Sequence, residues 1–185
     1  MNNPFDLLEQ DHRHVEKLLD TLAQSEEGEE RVLTLSELVM ALQLHMKYEE
    51  QAIYPLVADE MDDETAKEAN IEHSLARDGL AKMQQLVAAP GFGAAVEMVK
   101  GGIGHHVEEE ENEIFPELRK TLPNEQQASL AAELIEAKQA AGMPVGAPSS
   151  ELSKDELYQR AQQADVPGRS SMTKDELAAA VDKAG

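Results

Sequence analysis

The chain has 185 residues and a formal net charge of −21, from 37 acidic and 16 basic residues, room for one domain plus a small appendage. It contains no cysteine, which excludes disulfides, thiolate zinc sites and cysteine nucleophiles, and no tryptophan and only 3% aromatics, which argues against a β-sandwich or an aromatic nucleic-acid platform. A field of that sign repels nucleic acid and anionic lipid, and no apolar run reaches the roughly 20 residues that cross a bilayer.

Met1-Asn2-Asn3-Pro4 lacks a charged stretch followed by an apolar core, so no signal peptide is expected and the expected location is cytoplasmic. Asn3 is placed to cap a helix with Pro4 at its first position, and Phe5, Leu8, Val15, Leu18, Leu19 and Leu22 form its apolar stripe. After a turn over Ser25–Glu30, a second helix is predicted over about Glu30–Ala58, apolar at Leu33, Leu35, Leu38, Leu42, Met46 and Ile53. Asp62 and Asp63 offer caps to a third helix that ends before Pro90-Gly91. A fourth runs over about Phe92–Lys120, and a fifth follows Pro123-Asn124 and ends near Gly142. Pro55 and Pro116 fall inside helical patterns and should kink or end them locally. Gly101, Gly102 and Gly104 are too compact a set for a nucleotide fingerprint and suggest close helix packing or a kink. The fold class is all-α: an up-down four-helix bundle with an extra helix over residues 1–140.

Residues 141–150 have the small, Pro/Gly-rich composition of a flexible linker. Beyond it, 151–185 carries two capping boxes, Ser153 with Glu156 and Thr173 with Glu176, around an extended connector over Asp165–Met172. The acidity belongs to the bundle: residues 1–150 carry −19 and residues 151–185 only −2.

Shifting the chain by 61 residues lays His12 on His73, His45 on His106 and Glu49 on Glu110, and Ile53-Tyr54-Pro55 on Ile114-Phe115-Pro116. A His and a Glu four residues apart share one helical face, so His45 with Glu49 and His106 with Glu110 can each reach one ion. His12 and His73 add one imidazole from each of two further helices. Four imidazoles and two carboxylates suit iron, manganese or zinc, and two shared carboxylates suggest a pair of metals bridged by Glu49 and Glu110. Ferritin-like sites need two Glu-x-x-His units and only Glu9-x-x-His12 is present.

This set, with Tyr-Pro and Phe-Pro after the His/Glu pairs, resembles the hemerythrin or HHE cation-binding family over about residues 3–120. The resemblance implies a non-haem di-iron centre, with two oxo- or hydroxo-bridged iron ions and open positions for dioxygen or peroxide. Oxygen-carrying relatives have a fifth His one turn after the third. Arg77 stands in that place here, which disfavours reversible dioxygen carriage and sets a guanidinium where it would stabilise an anionic peroxide. The implied role is oxygen, peroxide or iron handling. Alternatives are catalase-like peroxide consumption, or an iron or oxidative-stress sensor that docks a protein partner through 151–185. That segment is similar to the helix-extended-helix motif of the Rho termination factor N-terminal domain, but with only Lys154, Arg160, Arg169, Lys174 and Lys183 as cations, tight nucleic-acid binding is not expected.

Around the site, His14 should face solvent, and His105 should lie just outside the ligands or at the core edge. Glu16 and Arg77 either pair near the metals, with Glu16 open to filling the missing ligand place, or are two surface charges. Glu50 and Glu111 should lie just outside the ligands. Of the tyrosines, Tyr48, one turn from His45, is expected nearer the metals than Tyr54.

Overall fold

Asn3 opens the first helix, α1 (Pro4–Gln24), by accepting a hydrogen bond from the Phe5 N–H, with Pro4 where its missing donor is harmless. The computed structural model describes residues 3–143, 145, 154–163 and 166–184. These fall in two compact units, Asn2–Met143 and Pro144–Gly185. Most of the 141–150 segment, Asp165 and the Ser153–Glu156 capping box lie outside the described residues or side chains.

In the larger unit, α2 (Glu29–Tyr48) runs through a π-turn (Glu49–Ile53) into α3 (Tyr54–Glu60). Next comes α4 (Asp63–Leu86), capped by the Asp62 carboxylate, which accepts from the Glu64 and Thr65 N–H groups. The fourth arm repeats the second: α5 (Phe92–Glu109), a π-turn (Glu110–Ile114) and α6 (Phe115–Thr121). Pro55 and Pro116 therefore neither end nor break their arms. In each, one extra residue per turn lets the chain pass the proline, and the Tyr54 and Phe115 N–H groups reach back five residues to the Glu49 and Glu110 carbonyls. The fifth helix, α7 (Asn124–Ala140), packs on α1 and α2.

The apolar stripe of α1 is buried as expected, and its Val15, Leu18, Leu19 and Leu22 join Leu35, Leu38, Leu42 and Met46 of α2 and Val96, Val99, Ile103 and Val107 of α5 in one core. Leu33 does not join them. It is 63% exposed, because two residues on from it, Leu35, lies about 200° around the helix and takes the inward place. Helices α4 and α5 approach closely at Gly79, where a Cβ would lie 2.5 Å from Val99 Cγ2. That role was expected of Gly101, Gly102 and Gly104. A Cβ on any of those three meets nothing within 4 Å, so none is a packing glycine.

In the smaller unit, α8 (Lys154–Gln163) and α9 (Lys174–Ala184) close on Leu157, Ala161, Val166 and Leu177. The second capping box forms as expected: the Thr173 N–H donates to Glu176 Oε2 at 2.8 Å, and the Glu176 N–H donates back to Thr173 Oγ1 at 3.3 Å. The connector is not wholly extended, because Arg169–Ser171 winds into a 3₁₀ turn.

Candidate metal centre

All six residues of the predicted set come together in the larger unit. His12, His45, His73 and His106 are buried, and Glu49 and Glu110 have no exposed surface. The imidazoles meet in pairs, with His12 and His45 Nε2 3.1 Å apart and His73 and His106 Nε2 3.0 Å apart. The two carboxylates span both pairs. Glu49 Oε2 lies 3.0 Å from His45 Nε2 and 3.4 Å from His73 Nε2. Glu110 points Oε2 at His12 (3.3 Å) and Oε1 at His106 (3.5 Å).

The outer ring nitrogens are oriented by a further set of carboxylates. His12 Nδ1–H donates to Glu111 at 2.8 Å, His73 Nδ1–H to Glu50 at 3.1 Å and His106 Nδ1–H to Glu72 at 2.8 Å; Asp11 approaches His45 Nδ1 at 3.7 Å. Each of these carboxylates faces a basic group in turn. Arg13 donates to Glu111, Arg77 to Glu50 at 2.7 Å, and Lys138 to Asp11, while His105 lies 3.8 Å from Glu72. With the protons held on Nδ1, the inner Nε2 atoms present lone pairs, and two lone pairs at about 3 Å repel unless a proton or cation lies between them. Glu49 Oε1 and Oε2, Glu110 Oε2 and His45 Nδ1 are buried without hydrogen-bond partners, a costly arrangement that a cation relieves. The donor set therefore fits a metal.

The charges respond to the same geometry. Burial lowers the His45 pKa, but the Glu49 and Asp11 carboxylates outweigh it and raise it to about 10. Burial raises Glu49, yet His45 and His73 hold it well below the carboxylate range. Tyr54 is pushed well above its ordinary value by burial and by Glu49 and Glu110, so its phenol stays protonated and donates. The Tyr54 hydroxyl donates to Glu110 Oε1 at 3.0 Å and lies 2.9 Å from His73 Nε2.

Tyr54, not Tyr48, is therefore the tyrosine of the site; Tyr48 donates instead to the Leu130 carbonyl at 2.7 Å and ties α2 to α7. The π-turn is the cause. In an α-helix residues five apart sit about 140° apart, whereas bonds to the fifth residue stack Tyr54 over Glu49. Glu16 and Arg77 do not pair with each other, and neither reaches the ligands. Glu16 pairs with Arg13 at 2.8 Å, and Arg77 is spent on Glu50, so no guanidinium faces the cluster from that position. His14 lies 3.2 Å from Glu37, and His105 is exposed, beside Glu109 and 3.8 Å from the Glu72 carboxylate that holds His106, so of its two expected places it takes the one outside the ligands and not the core edge.

Asp11 and Glu72 went unread although they obey the same 61-residue shift as the ligands, which was the signal for them. Lys138, buried on α7 against Asp11, has no counterpart in the repeat and left no sequence signal.

The model of the hemerythrin HHE cation binding domain matches residues 3–118. The chain belongs to that family. Its metal-cation binding rests on this membership and on the buried His/Glu groups, in which His12, His45, Glu49 and Glu110, and again Glu49, His73 and His106, offer ligand atoms within 4.8 Å of one another. Among solved structures, the chain is similar to a hemerythrin HHE cation binding domain-containing protein from Mycobacterium kansasii, with 19% identity, complete coverage of both chains and a TM-score of 0.67. That likeness shows the fold. No curated protein matches the chain. Among the described residues, no helix is long and apolar enough to cross a membrane.

Proposed function

We propose that the family member described here holds two iron ions, one on His12 and His45 and one on His73 and His106, with Glu49 and Glu110 shared, and that it handles oxygen, peroxide or iron. The observation that carries this reading is the double span of the carboxylates, each facing one imidazole from either pair. One ion would leave the second imidazole pair with its lone pairs opposed; two ions satisfy all six residues. Manganese or zinc fits the same donors, and it is the resemblance to di-iron relatives, not the donor set, that points to iron.

Iron in this place supplies redox chemistry toward dioxygen or peroxide. The chain's own residues do the rest. Glu111, Asp11, Glu50 and Glu72 fix the imidazole planes. Val15, Leu42, Met46, Ile103 and Val107 line a small cavity of about 10 Å³ beside the four imidazoles and keep bulk water from it.

Peroxide consumption is the second reading, favoured by Tyr54, a protonated phenol within hydrogen-bond reach of Glu110 and the His73–His106 pair. Elemental analysis tests the first reading: two irons per chain in the wild type, with clear loss in His45→Ala and Glu110→Ala. Full occupancy in both variants overturns it. Oxygen evolution from added peroxide tests the second.

A further inference from the structure

Beside the candidate metal centre, a second, much larger cleft of about 470 Å³ runs along α4 and α5, floored in part by Gly79 and Val99, and reaches His73 and His106 from outside. This volume lies within the range of small-molecule sites, and the cleft has their make-up, a mainly apolar wall with a few convergent polar groups. Leu75, Ala76, Met98, Val99 and Ile103 form the wall, while Glu72, Asp78 and His105 stand at the rim. Leu75 is 65% exposed and Met98 60% exposed. Two large apolar side chains facing water on one concave wall form the kind of surface that a bound molecule covers.

Gly102 leaves part of the wall bare. It lines the cleft from the interior of α5, where glycine destabilises a helix relative to alanine. Its backbone is not among the left-handed positions, and a Cβ there would meet nothing within 4 Å. Neither conformation nor packing calls for glycine at this point. What the missing side chain leaves is open volume.

We propose that this cleft is a binding site for an uncharged or cationic, largely apolar small molecule carrying an N–H or O–H donor. Its apolar part lies on Leu75, Met98 and Ile103, and the donor meets Glu72. The rim selects against anions, because Glu72 and Asp78 stand there on a chain of net charge −21. Glu72 also accepts from His106 Nδ1 at 2.8 Å, so the occupant touches the carboxylate that orients a candidate metal ligand. The site itself does not depend on the metal being bound.

The test titrates the purified full-length protein with N-phenylnaphthylamine, an uncharged fluorescent probe with one N–H, and with its sulfonated analogue. Saturable binding of the uncharged probe at one site per chain is expected, with the sulfonate about tenfold weaker or worse. Gly102→Leu fills the cleft and should weaken probe binding about tenfold with no loss of helicity. Leu75→Asp, at a position too exposed to disturb the core, should do the same, so the test survives misfolding of either variant. Equal affinity for both probes, or unchanged binding in both variants, overturns the proposal. So does a dimer in light scattering whose formation competes with the probe, since the face would then be covered by a second copy.

Discussion

Tyr54 and Phe115 hold matched places in the two halves of the bundle, yet only Tyr54 brings a hydroxyl to the cluster, 3.0 Å from Glu110 Oε1. Phe115 instead stacks its ring on His12, with centroids 5.8 Å apart. The repeat thus builds two imidazole pairs with the same ligand types and different neighbours: a donor beside His73 and His106, and a bare aromatic face beside His12 and His45.

Tyr54→Phe makes the two halves alike. Metal content should stay near the wild-type level, because the phenol is not among the six proposed ligands. Peroxide consumption should fall about 10- to 100-fold, the usual effect of losing a group that orients a metal ligand. An unchanged rate and an unchanged optical spectrum would remove Tyr54 from the chemistry.

Lys138 is buried on α7 with its ammonium on Asp11, whose carboxyl is held below its usual range: burial raises it, and His45 and Lys138 together outweigh that. Lys138→Met strands Asp11 beside His45. Removing one partner of a buried pair costs about 3 kcal/mol or more, read by urea unfolding. Lys138→Met with Asp11→Leu should recover much of that stability. Metal affinity should still be reduced in the double variant, because His45 then has no carboxylate at Nδ1. A single variant within about 0.5 kcal/mol of wild type would mean that the pair carries no stability.

The bundle and its six candidate ligands were legible because both obey periods that a sequence displays, a 3.6-residue apolar stripe and a 61-residue register. What stayed hidden involves either a break in those periods or a contact between distant elements. Tyr54 enters the site only because the π-turn adds a residue to the helical turn, and counting at 100° per residue sends it elsewhere. Arg13 and Arg77 do the same work for Glu111 and Glu50 from unmatched positions, so the repeat does not pair them.

The pH response of the metal-free protein follows from His45. Its folded pKa, raised to about 10, lies above the ordinary imidazole value of about 6.5. A raised folded pKa means that the stability it contributes is fully present below about pH 6.5 and is lost as pH rises toward about 10. Metal-free protein should therefore melt at progressively lower temperature across that window, and His45→Gln should flatten the trend. Metal loading must displace this proton, so metal affinity should rise with pH through the neutral range rather than only around the ordinary imidazole pKa. Parallel melting profiles for the wild type and His45→Gln would refute the assignment.

Every proposed ligand lies at or before Glu110, and the outermost supporting residue, Lys138, lies on α7. A chain ending after Met143 should therefore keep its metal content and optical spectrum, whereas one ending after Leu122 should lose stability and weaken its hold on metal, because Lys138 leaves with α7. The segment 151–185 has its own small core at Leu157, Ala161, Val166 and Leu177, so we expect it to act as a separate docking unit rather than as part of the centre. Its five basic residues are outnumbered by seven acidic ones, and phosphate contacts need cations in excess. Electrophoretic mobility shift at physiological salt should detect no submicromolar DNA complex with the full chain. If metal content falls with the truncation at Met143, the tail supports the centre after all, and its separate role is wrong.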